Sequence, residues 1–365
     1  MSIDLDELVR NIPVSSKQLV AIARAINQGV KLLFMDEATT ALTRKEIDVL
    51  FGVVQGLSDQ GVATVFVSHK LDEVKEIADS ITVIRNGVLV TSGDMKDFDR
   101  KSIAVAMTGT EIDDIHLAPT VKPDAPVVLE VNNISSPGRF NNVSFNVKAG
   151  EVLGVTGLLG SGRSEIAEAL FGMVPISSGQ VTINGKEVNL KGPRQAVRAG
   201  IGYVPEDRLT QGLFLSQSIR KNVMASGIER FLSRIGVVKK KTMWETITHW
   251  IENLRIKTQD PNNPVTSLSG GNQQRVVLAK WLLMSPKVMI LNGPTVGVDI
   301  GSKREILEII RERAEQGVAV IIVSDDIPEI VQIANRVIVI HNGETGAHMS
   351  GTEITEKKLY EELAA

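Results

Sequence analysis

Two stretches of this 365-residue chain decide its fold, Lys31-Leu-Leu-Phe-Met-Asp36 and Lys287-Val-Met-Ile-Leu-Asn292. They align without a gap at an offset of 256 residues, and the same offset keeps residues 12–87 in register with residues 268–343. Stacked repeats recur about every 20–50 residues, whereas an offset this long indicates duplication of a whole domain. We therefore predict two copies of one domain in this chain.

Each copy alternates apolar strands with amphipathic helices. In the first copy the pattern predicts strands at residues 32–35 and 63–67, a helix from about residue 44 to 58, and a helix with Leu71, Val74 and Ile77 on one face. Alternation of this kind predicts an α/β fold in which helices wrap a parallel sheet. The apolar strand at residues 32–35 is expected to be buried in that sheet.

The composition excludes several classes of function. A net charge of -3, from 40 basic and 43 acidic residues, gives no electrostatic reason for nucleic acid to bind. The absence of cysteine excludes disulfides, thiolate metal sites and cysteine nucleophiles. The acidic start lacks the basic and apolar regions of a signal peptide, and the longest apolar runs are strand-sized. We therefore predict a protein of the cytosol.

The two copies differ at their amino-terminal ends. We assign residues 1–109 to the first copy, residues 110–126 with three prolines to a linker, and residues 127–365 to the second copy. Only the second copy has a strand, residues 152–156, that leads into a glycine-rich loop. At the same offset, the loop of the first copy would precede Met1 by about a hundred residues. We expect the first copy to lack its amino-terminal part.

The glycine-rich loop of the second copy reads Gly157-Leu-Leu-Gly-Ser-Gly-Arg-Ser164. It fits the phosphate-binding pattern G-x-x-x-x-G-K-S/T except that arginine replaces lysine. In such a loop the glycines let backbone N–H groups surround phosphates, the following helix adds its dipole, and the serine hydroxyl reaches Mg²⁺. A turn without a ligand is the alternative. The predicted phosphate or metal contacts are Gly157, Gly160, Gly162, Arg163, Ser164 and Glu165.

Two carboxylates, Asp36 and Glu37, follow the strand at residues 32–35. In open α/β sheets, ligands bind at the carboxyl ends of the strands. We predict that Asp36 holds Mg²⁺ and that Glu37 polarises the attacking water. His69 ends the next strand and is predicted to donate a hydrogen bond to the terminal phosphate, although a lone histidine is more often structural.

A third motif, Leu268-Ser-Gly-Gly-Asn-Gln273, precedes an apolar-periodic helix. Ser269 is predicted to be the N-cap of that helix. Gly270 and Gly271 would leave backbone N–H groups open to an anion, whereas a plain helix cap is the alternative.

Together these motifs resemble the signature, Walker B, switch-histidine and Walker A motifs of ABC ATPases. The two fused halves, the arginine in the second Walker A and the stretch Tyr-Val-Pro-Glu-Asp-Arg at residues 203–208 look most like the ATPases of simple-sugar importers, of the ribose, galactose and xylose type. The resemblance implies two P-loop NTPase domains that bind ATP and Mg²⁺. It also implies hydrolysis coupled to sugar uptake, at the cytoplasmic face of the membrane.

The resemblance further implies partner proteins and two composite nucleotide sites. The partners are membrane permease subunits, indirectly a sugar-binding protein, and a separate polypeptide that could carry the missing phosphate loop. ATP would lie between the halves. The first composite site would use Asp36, Glu37, His69, Ser269, Gly270, Gly271 and the D-loop residue Asp299. The second would use Arg163, Ser164, Asn292, Gly293, Asp325 and the segment Ile12-Pro-Val-Ser-Ser16.

The second composite site departs from the family pattern at each diagnostic position. At the offset of 256, Asn292 replaces Asp36, Gly293 replaces Glu37 and Asp325 replaces His69. We therefore predict that this site binds nucleotide without turnover, since Gly293 cannot orient water and Asp325 would repel a γ-phosphate. Glu206 would transmit the nucleotide state to a permease-facing helical segment whose apolar candidates are Phe214, Leu215, Ile219 and Val223, for which core packing is the alternative.

Two other functions stay open on the residues alone. One is a regulatory or assembly module that binds nucleotide at Arg163 and Ser164 without catalysis. The other is the ATPase of a nucleoside importer.

Overall fold

The computed structural model of the chain describes residues 6–364 except residues 10–11, 13, 28, 37, 40–41, 43, 69, 86, 110–116, 234 and 237. It divides into two compact units, residues 1–113 and residues 114–365. The division falls inside the predicted linker. Residues 117–126 form no helix or strand.

The first unit contains two small sheets and the helices that flank them. Strands β1 and β2 pair in parallel, and β3 and β4 form a separate antiparallel pair. Its described elements are α1 (Val14–Ile26), β1 (Leu32–Asp36), α2 (Arg44–Asp59), β2 (Ala63–Val67), α3 (Leu71–Ile77), β3 (Ser80–Arg85), β4 (Val88–Asp94) and α4 (Arg100–Thr108). The strands and helices predicted for this copy are thus confirmed to within about a residue at each end.

The expectation that the first strand is buried was wrong for this copy. Leu33 and Met35 of β1 are buried against the apolar face of α2, with 5% and 3% of their surface exposed. Leu32 and Phe34 point the other way and are 47% and 69% exposed. Successive side chains of a strand face opposite sides of the sheet, and only one side of β1 is covered in this unit.

The second unit is larger and has two sheets. Its strands are β5 (Val127–Ser136), β6 (Phe140–Lys148), β7 (Val152–Gly157), β8 (Ser178–Ile183), β9 (Lys186–Glu187), β10 (Ile201–Val204), β11 (Val288–Asn292), β12 (Ala319–Val323), β13 (Arg336–His341) and β14 (Glu344–Ser350). Its helices are α5 (Arg163–Leu170), α6 (Pro193–Ala199), α7 (Ile219–Met224), α8 (Lys240–Asn253), α9 (Gly270–Leu282), α10 (Ile300–Glu315), α11 (Ile327–Ile333) and α12 (Glu356–Ala364).

The six-stranded sheet of the second unit has the order β10-β11-β12-β7-β13-β14, in which β14 is antiparallel and the others are parallel. Strands β5, β6, β8 and β9 form a separate antiparallel sheet. Side chains of β11 and β12 are buried on both faces of the six-stranded sheet, one face in a core with α9 and α10 and the other in a core with α5 and β5. The carboxyl ends of β7, β11 and β12 therefore meet at one sheet edge, where ligands bind in such folds.

The duplication inferred from the sequence extends to every helix and strand of the first unit. The bounds of α1, β1, α2, β2, α3, β3, β4 and α4, raised by 256, reproduce those of α9, β11, α10, β12, α11, β13, β14 and α12. The offset therefore holds as far as residue 364, beyond the stretch in which the sequence revealed it.

Among the described residues, the helices are either too short or too polar to traverse a lipid bilayer.

Candidate functional site

The glycine-rich loop lies between the central strand β7 and helix α5. Gly160 and Gly162 have φ of +80° and +96°, in the left-handed region that favours glycine. A Cβ atom at Gly157 would lie 2.4 Å from Ser161 Oγ and 2.6 Å from the carbonyl oxygen of Ile340, and one at Gly162 would lie 2.7 Å from that of Arg139. The loop backbone is packed too closely for side chains at these two positions.

Two buried hydroxyls at the loop have no partner among the described residues, Thr156 Oγ1 and Ser161 Oγ. Buried polar groups are normally hydrogen-bonded. The backbone N–H groups of Arg163, Ser164 and Glu165 precede the first hydrogen bond of α5, which Ile166 N–H donates to the Gly162 carbonyl, so they have no partner within the helix. A phosphate group supplies acceptors for both kinds of donor, so the loop fits a nucleotide phosphate chain.

Arg163 makes internal contacts where the sequence predicted a contact to phosphate. The side chain is 6% exposed, and its guanidinium donates a hydrogen bond to the Gly157 carbonyl. Its second terminal nitrogen lies 3.3 Å from the carboxylate of Asp325, which follows β12. The predicted repulsive carboxylate and the predicted cation of this loop are therefore paired with each other.

Further carboxylates surround this ion pair. Desolvation raises the pKa of Glu206, which follows β10; Arg163 opposes that rise and Asp325 adds to it. Burial also raises the pKa of Glu168 on α5, with a further contribution from Glu165 one turn earlier. Four carboxylates, those of Asp325, Glu206, Glu168 and Glu165, therefore lie around the loop together with two arginines, Arg163 and Arg139.

The residues after β11 lack the groups that would activate water. Asn292 is 4% exposed, and Ser164 Oγ lies 3.4 Å from its side-chain oxygen, within hydrogen-bonding distance. Gly293 has φ of +57°, and a Cβ atom there would lie 2.8 Å from Val296 Cγ2 and 3.3 Å from Glu206 Cγ. A glutamate at this position would be strained as well as crowded.

Arg208 has a contact that sequence reasoning missed. Its guanidinium donates hydrogen bonds to the carbonyls of Val296 at 2.6 Å and Gly297 at 2.9 Å, in the loop that follows β11. Asp207 accepts hydrogen bonds from the N–H groups of Leu209 and Thr210 and so shapes the turn that carries the arginine. No spacing in the sequence links residues 208 and 297; the pairing of β10 with β11 brings them together.

The signature segment begins helix α9 as predicted, with Ser269 at the N-cap position. The Ser269 hydroxyl makes no capping hydrogen bond and instead accepts one from Asn272 Nδ2 at 2.9 Å. A Cβ atom at Gly270 would lie 2.9 Å from Arg208 Nη2, and one at Gly271 would lie 2.3 Å from Ser302 Oγ. The two glycines therefore also allow close packing against neighbouring segments, which the sequence did not predict.

Asp299 and Thr295 organise the loop between β11 and α10. Asp299 is the N-cap of α10 and accepts a hydrogen bond from the Ser302 N–H at 3.0 Å. Thr295 Oγ1 donates to the buried Glu329 at 2.9 Å, and Ser324 Oγ donates to the same carboxylate at 2.6 Å. Burial raises the pKa of Glu329, against the effect of Lys303.

The first unit repeats this threonine–glutamate contact. Thr39 Oγ1 donates to the buried Glu73, and Lys70 Nζ lies 3.0 Å from the same carboxylate. Asp36 lies at the carboxyl end of β1, as predicted. The loop after β1 is thereby tied to α3.

Three predicted positions of the first unit, Pro13, Glu37 and His69, lie outside the described residues. Of the other predicted signature positions, Ile12 is half-buried and Ser16 is buried.

Two of the four apolar candidates for a permease surface are in the core. Ile219 and Val223 have no exposed surface and pack with Ile247 and Leu254, so core packing is the correct interpretation for them. Leu215 is partly buried against the same core. Phe214 is 59% exposed and stays available for a partner.

Comparison of this chain with known proteins indicates the family to which it belongs. The family model described as "ABC transporter" matches residues 140–296. The ribose import ATP-binding proteins of Oceanobacillus iheyensis and Bacillus licheniformis are each 41% identical to this chain, over 98% of it and 72% of their own length. A solved ATP-binding subunit of an ABC transporter superimposes with a TM-score of 0.55 and 21% identity, over 65% of this chain and 100% of that one. At this low sequence identity, the structural similarity supports the fold alone.

Proposed function

This chain belongs to the family of ABC transporter ATP-binding proteins, and on that premise we propose that it energises the import of a simple sugar. As a member of the family it binds ATP and is an ABC-type ATPase. The phosphate loop carries the proposal: it retains its glycines and Ser164, and it holds buried hydroxyls without a partner among the described residues. The names of the ribose import relatives support a sugar as the transported solute.

The partners in this proposal are permease subunits in the membrane and, through them, a sugar-binding protein. The chain would then bind peripherally at the cytoplasmic face. The exposed Phe214, which precedes the helical segment α7–α8, is the candidate contact to the permease. No observation favours a nucleoside over a sugar or a purely regulatory module over a transporter subunit.

Hydrolysis is assigned to residues of the first half. Asp36 would hold Mg²⁺, Glu37 would polarise the attacking water and His69 would contact the γ-phosphate. Ser269, Gly270, Gly271 and Asp299 would contact the nucleotide. The phosphate loop for this reaction would come from a polypeptide segment beyond residues 1–365, because these residues contain one such loop, Gly157–Ser164.

The second half is assigned nucleotide binding without turnover. Ser164 and Asn292 would hold Mg²⁺ weakly, because neither oxygen carries a charge. Gly293 occupies the position that corresponds to Glu37, the residue proposed to activate water. Its conformation and surroundings leave no room for a carboxylate. Glu206, close enough to Arg163 and Asp325 for both to influence its pKa, would respond to the charge of the bound nucleotide.

Reconstitution of this chain with the permease in lipid vesicles, together with a polypeptide that supplies the phosphate loop of the first half, tests this function. We expect ATP-dependent uptake of ribose, galactose or xylose, and a loss of about 100-fold or more in Glu37→Gln, because water activation is removed. The matched control is Glu76→Gln, which neutralises an exposed carboxylate of the same half on α3 and should leave uptake unchanged. ATP-dependent uptake of nucleosides alone, or full sugar uptake by Glu37→Gln, would contradict the proposal.

A further inference from the structure

We propose that the phosphate loop of the second half selects a nucleoside diphosphate over a triphosphate, because the ion pair between Arg163 and Asp325 occupies the γ-phosphate end of the loop. The inference rests on the proposed binding of nucleotide by this loop, and it assigns the ligand class that the loop prefers.

The diphosphate part of the loop is intact. The backbone N–H groups of such a loop and of the helix that follows it bind the α- and β-phosphates. Here Gly160 and Gly162 have positive φ, Gly157 is packed too closely for a side chain, and Ser161 Oγ is buried without a partner among the described residues. The Arg163 side chain contacts this part of the loop at the Gly157 carbonyl, which is an acceptor and so is not a group that binds phosphate.

The γ-phosphate part of the loop is altered. The lysine of the usual pattern reaches the β- and γ-phosphates as a compact charge. Arg163 instead directs its guanidinium back to the Gly157 carbonyl and sideways to Asp325, and its side chain is almost fully buried. Contact with a γ-phosphate would require the guanidinium to leave both partners.

Carboxylates add to this effect. Asp325 follows β12 and pairs with Arg163, and Glu206, which follows β10, lies close enough to both for them to influence its pKa. A triphosphate brings one more phosphate group, and more negative charge, toward these carboxylates than a diphosphate does. Like charges repel, so the added charge of a triphosphate is disfavoured here, although solvent reduces the repulsion at Asp325, whose side chain is 65% exposed.

The first half supplies an internal reference. At the offset of 256, the residues that correspond to Asn292, Gly293 and Asp325 are Asp36, Glu37 and His69. All three replacements affect the γ-phosphate: one weakens a metal ligand, one removes the group that orients water, and one exchanges a potential cation for an anion. Gly157, Gly162 and Ser164 match the general phosphate-loop pattern. The substitutions are therefore confined to one end of the site.

Calorimetric binding of MgADP and of Mg²⁺ with a non-hydrolysable ATP analogue to the full chain tests the inference. The signal that belongs to this loop is identified as the part lost in Ser164→Ala. We expect wild type to bind MgADP about tenfold more tightly than the triphosphate, a difference of about 1.4 kcal/mol. Asp325→Asn should bring the two affinities within about threefold of each other, mainly by tightening triphosphate binding.

Glu361→Gln is the matched control, because Glu361 is exposed to a similar extent as Asp325 and lies 3.9 Å from Lys357 Nζ, away from the loop. This variant should keep the ADP preference. Equal or tighter binding of the triphosphate in wild type would overturn the inference, and so would an ADP preference that persists in Asp325→Asn. If neither nucleotide binds, the proposed nucleotide-binding role of the loop fails as well, an outcome distinct from triphosphate binding.

Discussion

The two halves of this molecule share their succession of helices and strands, yet they bury their sheets differently. Leu32 and Phe34 of β1 are 47% and 69% exposed, whereas Val288 and Ile290, their counterparts in β11, are fully buried. The same difference separates Val67 of β2, 50% exposed, from Val323 of β12, 1% exposed. Apolar strands with one pattern therefore have two different environments.

The layer that covers β11 explains the difference. In the second half, β7 lies between β12 and β13 in the sheet, and α5 and the four-stranded sheet cover the face that includes Val288 and Ile290. In the first half, β2 and β3 belong to separate two-stranded sheets, with no described strand between them. Strand formation thus needs only the local pattern and one neighbour, whereas burial on both faces needs the second layer.

The largest expected effect tests this difference in burial directly. Ile290→Ala should lower the free energy of unfolding of the second half by about 4 kcal/mol, because it leaves a cavity in a closed core. Phe34→Ala, its counterpart in the first half, should change stability by less than about 0.5 kcal/mol. Urea unfolding measures both changes. A large loss in Phe34→Ala would mean that this face is covered in solution.

A second prediction compares Lys280 with its counterpart Arg24. Burial lowers the pKa of Lys280 to about 8, and its ammonium donates to the Gly212 carbonyl at 2.6 Å. Between pH 8 and the usual lysine pKa, the unfolded chain holds a proton that the folded chain has lost. Raising the pH through this window should therefore stabilise the fold, by up to about 3 kcal/mol. Below pH 8 this gain in the free energy of unfolding is absent.

Urea unfolding at pH 7.5 and pH 10 measures the effect as the difference between wild type and Lys280→Met. The variant should lose this pH-dependent increment because its side chain does not titrate. Arg24→Met is the control, since Arg24 is exposed and arginine stays charged across the window. An identical pH response in wild type and Lys280→Met would contradict the burial of a titrating ammonium.

The smallest expected effect asks whether the proposed catalytic glutamate can be transferred between the halves. Gly293→Glu recreates the residue type of Glu37, but we expect no gain in ATP hydrolysis and a loss of about 2 kcal/mol in stability, since φ is +57° and Val296 is too close. Gly317→Glu is the matched control: its φ is +95°, and no atom lies within 4 Å of an added Cβ. Gly317→Glu should therefore reduce stability by less than Gly293→Glu does. A gain in ATP turnover by Gly293→Glu would contradict the proposal that only the first half hydrolyses ATP.

Much of the fold was predictable from sequence because its signals are local. The strand Ala63–Val67, the helix from Arg44 and the N-cap position of Ser269 follow from apolar periodicity and capping chemistry, which act over a few residues. The duplication was predictable because the two copies still align without gaps. The phosphate loop was predictable because glycine is required where its backbone has positive φ or is too closely packed for a side chain.

Other features of the site could not be predicted in this way. The sequence placed Arg163 and Asp325 near phosphate but did not indicate that they pair with each other. It treated the Pro-Glu-Asp-Arg stretch as a family marker, whereas Arg208 holds the loop at Val296 and Gly297. It also left Ile219 and Val223 as surface candidates, although both are core residues.

By itself the sequence determined that this protein has two copies of one α/β unit, where two strands and two helices of the first copy lie, and which loop matches the phosphate-binding pattern. Those properties depend on the order of residues along short segments. The tertiary structure alone decided which strand faces are covered, which carboxylate pairs with Arg163 and which loop Arg208 holds. These depend on the neighbours that sheet order brings together from distant parts of the chain, and no local pattern encodes those distances.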